Sequence, residues 1–187
     1  MNINISKKEI KRNILISIPV LFLVGFPLHF LYDLTGKLNI IAFFAPVNES
    51  IWEHTKLATV PALIWWIISY SILKKKVDIN LTKWVFSTSI AIVSMPVIIV
   101  SFYYTYTGAL GISYLMLDIS SLLFALIVGQ SLALHIYNNI ITKKIWKHIG
   151  IIIIMLLVIF TTIFTFNTPH LPIFKDGPTG AYGILKR

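Results

Sequence analysis

Cysteine is absent from the 187 residues. That excludes disulfides, thiolate metal sites and cysteine nucleophiles. Charge is scarce as well: 12% of the residues are Asp, Glu, Lys or Arg, about half of the roughly 25% usual in a soluble domain. Acids are the scarcer sign, 7 against 16 Lys and Arg, for a net charge of +9. No Ser/Gly/Pro-rich or charged block divides the chain, so residues 1–187 read as a single domain. H-E-x-x-H, G-x-S-x-G and a P-loop are all missing, so the familiar zinc-peptidase, serine-hydrolase and nucleotide signatures do not apply.

What is present is apolar. Hydrophobic residues make up 57% of the chain and the mean hydropathy is +0.82. This is the composition of a polytopic membrane protein, an all-α helix bundle whose first partner is the lipid bilayer. The basic residues sit in short loops between apolar runs, where they set topology, and do not point to nucleic acid.

A span needs about 20 apolar residues to cross roughly 30 Å of hydrocarbon. Five segments qualify, near residues 14–34, 50–73, 84–104, 109–137 and 149–166. The first is preceded by Lys7, Lys8, Lys11 and Arg12, but no small-x-small cleavage site follows it, so it reads as a retained span and not a signal peptide. Pro61 and Pro96 predict kinks, because each removes a backbone donor. Residues 37–47 are too few to cross and read as either a partial or a re-entrant helix, the latter tolerated only where protein or a water cavity covers the backbone. The tail, 167–187, is rich in Pro and Gly and predicts a series of turns. Leu171, Ile173 and Phe174 would anchor it, ordered, over the mouth of the bundle.

Lys and Arg sort unequally across these spans. Lys7, Lys8, Lys11, Arg12, Lys74, Lys75, Lys76, Lys83, Lys143, Lys144 and Lys147 fall on one side, against Lys37, Lys56, Lys175, Lys186 and Arg187 on the other. The asymmetry predicts a cytoplasmic N-terminus and an extracytoplasmic C-terminus. His29, Asp33, Glu49, Glu53, His54, Asp118, His170 and Asp176 then gather toward the outer side.

The polar centre is Asn48-Glu49-Ser50-Ile51-Trp52-Glu53-His54, between two greasy segments. Ser50 and Glu53 fit the capping box of a helix start. That accounts for Glu53 and leaves Asn48 and His54 without a structural reason. His29 and Asp33, four apart, share a helix face and suit either a metal pair or a carboxylate orienting an imidazole. A plain i,i+4 hydrogen-bonded pair is the simpler alternative. If the fourth helix starts near Ala109, Asp118 lies about 14 Å deep. A carboxylate there costs roughly 2.5–3.5 kcal/mol and needs a partner; Tyr114 and Ser121 share its face, and His29 or the Glu49–Glu53 ledge could reach it. The expected arrangement is one cluster of His29, Asp33, Glu53 and His54, with Asp118 below and His170 above.

The run Pro46-Val47-Asn48-Glu49-Ser50-Ile51-Trp52-Glu53-His54 resembles the P-V-N-E-S-x-W-E-H signature of a family of small bacterial integral membrane proteins of unknown function. The segments His29-Phe30-Leu31-Tyr32-Asp33, Pro169-His170-Leu171-Pro172 and Tyr182-Gly183 are similar to that family's other recurring stretches. The resemblance implies a bacterial plasma membrane location and a shared site, but no activity. Intramembrane His and Asp are also similar to those of zinc-dependent membrane amidases of the alkaline ceramidase type, a likeness of chemistry alone.

Three functions follow as expectations. The first is a metal-dependent hydrolase of a lipid, a lipid-linked molecule or another small substrate. Here His29, His54 and His170 are zinc ligands, Asp33 or Asp118 completes the shell, and Glu49 or Glu53 is the base that activates water. The second is a cation or small-solute transporter with Asp118 as a protonatable relay. An accessory subunit docking a partner through Trp52 and the tail is the third and plainest alternative.

Overall fold

The computed structural model describes residues 3–184. Lys186 and Arg187 of the charge count lie outside the described residues. Six helices follow in order: α1 (Ile3–Leu34), α2 (Ile51–His54), α3 (Lys56–Leu73), α4 (Leu81–Leu110), α5 (Leu115–Asn139) and α6 (Lys144–Phe166). Short 3₁₀ turns occupy Ile41–Phe43 and Pro172–Phe174. Among the described residues there is no strand, only an isolated bridge between Lys175 and Tyr182. Five helical stretches are long and apolar enough to cross a membrane: Ser6–Leu34, Ile51–Leu73 (α2 with α3), Leu81–Leu110, Leu115–Asn139 and Lys144–Phe166. A helix is the natural form for such runs, because it satisfies every interior backbone group within itself.

α4 packs against α3, α5 and α6, while α1 packs against α3 and α5. The bundle core includes Ile14, Trp66, Trp84, Ile92, Met95 and Leu126. α6 rests on α4 through Gly150: a Cβ there would lie 3.0 Å from Phe86 Cα and 3.1 Å from the Val85 carbonyl. Glycine therefore lets the two backbones approach, as small residues do between membrane helices. Gly150 and Thr165 are the buried positions of α6, Ile154 and Leu157 pack against the core, and Ile152, Met155, Ile159 and Ile163 are among the apolar side chains it leaves exposed.

Two expected boundaries move. α4 does not stop at Tyr104 but continues to Leu110, where Gly111 with φ 69° closes it and donates its N–H to Thr107. Gly108 is inside the helix and breaks nothing. Consequently α5 begins at Leu115, not Ala109. The segment expected to be a partial or re-entrant helix holds one 3₁₀ turn, Ile41–Phe43, within a loop. Ala42 and Ala45 within it are fully buried. Protein, not lipid, satisfies its carbonyls, as set out below.

Candidate metal centre

α1 ends and α2 begins at the same face of the bundle, and three side chains meet there. His29 comes from the last turns of α1, His54 closes α2, and Glu49 lies in the turn just before the cap residue Ser50. His29 Nε2 is 3.1 Å from His54 Nε2. Glu49 Oε2 is 3.2 Å from His54 Nε2 and 3.4 Å from His29 Nε2. The imidazole rings are stacked, 5.1 Å apart and inclined by 28°. A tetrahedral site with bonds of about 2.0–2.1 Å has edges of about 3.3–3.4 Å between ligands. The triangle is therefore close to one face of such a tetrahedron, and the group His29, Glu49 and His54 could hold a metal ion. Two imidazoles and one carboxylate form a ligand set of catalytic zinc, which leaves a fourth position open.

The electrostatics agree with that geometry. Hydrogen bonding to His29, and next to His54, holds the Glu49 carboxyl well below the usual carboxylate range. It is an anion at any physiological pH and available as a ligand. Glu49 Oε2 and the facing imidazole compete for the same Nε2–H groups, with roles that depend on the tautomers; a cation would let both rings offer lone pairs. His29 Nδ1 is buried with no hydrogen-bond partner.

Glu53 takes a different role. Ser50 Oγ accepts the Glu53 N–H at 3.3 Å, so half of the capping box forms. The other half does not, since the Ser50 N–H goes to Asn48 Oδ1 at 2.9 Å. The Glu53 carboxylate turns inward. It accepts from Lys56 Nζ at 2.6 Å, from the Val47 N–H at 3.0 Å and from Thr165 Oγ1 at 2.8 Å. Lys56 Nζ spends its other two protons on the carbonyls of Ala42 at 2.9 Å and Ala45 at 3.4 Å. Lys56, 1% exposed, is thus a buried cation with all three donors used. This network ties the 37–47 loop and the end of α6 to the start of the second span. Sequence reasoning placed Lys56 among the outer loop charges and missed it. Its one signal is the i,i+3 spacing from Glu53 inside an apolar run; Thr165 carries none.

The expected single cluster accordingly divides. Asp33 points to solvent, 76% exposed, with Lys37 Nζ 3.7 Å away. Asp118 is in the first turn of α5 and not nine residues into a helix, because α5 starts later than expected. Its partner is the Tyr106 hydroxyl, which donates to Oδ1 at 2.6 Å. Tyr114 supplies only a backbone N–H to Tyr106 Oη at 3.3 Å, and Ser121 Oγ donates to the Asp118 carbonyl. His170 is exposed and stacks on Tyr182 at 4.5 Å. Trp52 packs edge-on against Phe164 and Phe174.

Asn48 and Asp176 hold the tail over this face. Asn48 Nδ2 donates to the Gly183 carbonyl at 2.8 Å. Asp176, 1% exposed, accepts the Glu49 N–H at 2.7 Å and the Thr179 N–H at 2.9 Å. Gly183 has φ +69°, and a Cβ on it would come within 2.7 Å of Thr168 Oγ1. Asp176→Ala should therefore free both the tail and the Glu49 backbone. Faster amide exchange at Glu49 and faster proteolysis within 167–184 are the expected readouts, with the helix content unchanged. An equally protected Glu49 amide in the variant would show that the strap does not position this residue.

Neither a curated protein nor a solved structure matches the chain. A family model does, over residues 1–184, and by that match the chain belongs to the family of unknown function DUF6512.

Proposed function

We propose that this chain is a metal-dependent hydrolase of the membrane interface, with zinc held by His29, Glu49 and His54 and with a lipid or lipid-linked molecule as substrate. The observation that carries the reading is the triangle of donor atoms, 3.1, 3.2 and 3.4 Å on its edges. A cation held there by His29, Glu49 and His54 would supply Lewis acidity and lower the pKa of a bound water. The residues of the chain do the rest. Phe26, Phe30 and Leu34 are exposed beside His29 and offer an apolar surface along which an acyl chain can lie while its polar end reaches the triad. Glu53 is not the base in this scheme, because its oxygens already accept from Lys56, Val47 and Thr165.

The charge asymmetry supports an orientation with the N-terminus in the cytoplasm and the triad on the outer leaflet. The bacterial plasma membrane is the setting implied by the motif resemblance. A cation carrier draws less support. Leu57, Ala58 and Ala62 pack tightly just inward of the triad, and Asp118, the residue that would relay protons, is engaged by Tyr106.

Elemental analysis of the purified chain tests the reading. About one zinc per chain is expected, together with hydrolysis of ester- or amide-linked lipids that a chelator abolishes and zinc restores. A metal-free preparation, with stability indifferent to chelator and to added zinc, would overturn it.

A further inference from the structure

We propose that the end of the bundle opposite the triad binds the phosphodiester headgroup of an anionic membrane lipid. This is independent of the metal reading. A cavity of about 280 Å³ opens there between the first turns of α1, the start of α4 and the end of α5. Ile10 and Tyr137, both buried, line its base. Lys7 and Lys83 bring two ammonium groups and Asp78 one carboxylate. Among the described residues neither lysine forms an ion pair. The lining therefore carries one positive charge in excess, the complement of the single negative charge on a phosphodiester. Asn80, whose side chain caps α4 by accepting the Lys83 N–H at 3.1 Å, adds a carboxamide to the wall.

Position and size favour a lipid over a soluble ligand. Three spans reach this end at Ser6, Leu81 and Asn139, which puts the cavity at the level of the headgroups. It is slightly smaller than the roughly 300–1,000 Å³ of a drug-sized pocket, enough for a headgroup but not for acyl chains. Leu81, exposed at the start of α4, leaves those chains an apolar flank. The surrounding lysines of this face concentrate anionic lipids near the opening.

The test is native mass spectrometry of the detergent-solubilised full chain titrated with phosphatidylglycerol, phosphatidylcholine or inorganic phosphate. Phosphatidylglycerol should be retained and phosphatidylcholine lost. The double variant Lys7→Gln/Lys83→Gln should weaken retention roughly 30-fold, two surface charges at about 1 kcal/mol each. Lys143→Gln/Lys144→Gln, on the same face but outside the cavity, should leave it unchanged. Equal loss in both double variants would mean diffuse attraction to a basic face and would overturn the site. Binding of inorganic phosphate at the two lysines without lipid retention would assign it to a soluble phosphate ester and overturn the lipid. Absence of both would remove the proposal, leaving the metal reading untouched.

Discussion

Glu53→Ala is expected to destabilise the folded chain by about 3–5 kcal/mol, the range for removing one partner of a buried ion pair. The reason is what remains behind. Lys56 would keep the Ala42 and Ala45 carbonyls but lose its counter-charge in a position only 1% exposed. Val47 and Thr165 would lose their acceptor in the same step. Lys56→Ala should cost a similar amount, since it leaves the carboxylate unpaired and the two loop carbonyls bare. The double variant Glu53→Gln/Lys56→Met removes both charges and nearly preserves shape, so its cost should fall well below the sum of the singles. Denaturant unfolding in detergent micelles, followed by Trp fluorescence, measures all of these. Single variants that lose less than about 1 kcal/mol would mean that the pair is not the tie between loop, second span and α6 described here.

The second large effect concerns the triad. His29→Ala, Glu49→Ala and His54→Ala should each weaken zinc binding by more than about 100-fold, beyond the 10–100-fold that follows loss of an outer-shell partner. Titration of the apo protein with zinc against a competing chelator reads this directly. His170→Ala and Asp118→Asn should bind as the parent does, because neither side chain reaches the triangle: one stacks on Tyr182 and the other is bonded to Tyr106. Affinity should also drop on acidification, since protons compete for metal ligands. Glu49, held far below the carboxylate range by His29 and His54, is not where those protons bind first. A His170→Ala variant as damaged as His54→Ala would move the tail into the ligand shell and refute the three-residue assignment.

Much of the architecture follows from local properties. Runs of apolar residues long enough to cross a bilayer have one way to satisfy their backbone, so five spans were readable from hydropathy alone. Ser50 marks a helix start through chemistry confined to four residues, and the structure keeps the half of it in which Ser50 Oγ accepts the Glu53 N–H. The closeness of His29 and His54 was also legible in outline, because spans that alternate across a membrane must return both residues to one face.

Partner choice was not local. Glu49 and Glu53 are four apart and look equivalent, yet Glu49 precedes the cap residue and lies off the helix, so the two carboxylates leave the chain in different directions. One meets two imidazoles and the other meets Lys56. Whether Lys56 is a loop charge or a buried cation depended on carbonyls 11 and 14 residues away folding over it. Asp118 changed from a deep acid to a helix-start acid when α4 ran past Gly108 to Gly111, which alone has the left-handed conformation that ends it. The bonds from Thr165 to Glu53, from Asn48 to Gly183 and from Glu49 to Asp176 span 112, 135 and 127 residues. Composition and periodicity determine which segments enter the membrane, because burial of apolar surface is additive along the chain. Which polar group answers which is decided only by packing, because a hydrogen bond requires a partner within about 3 Å and nothing in local sequence sets that distance.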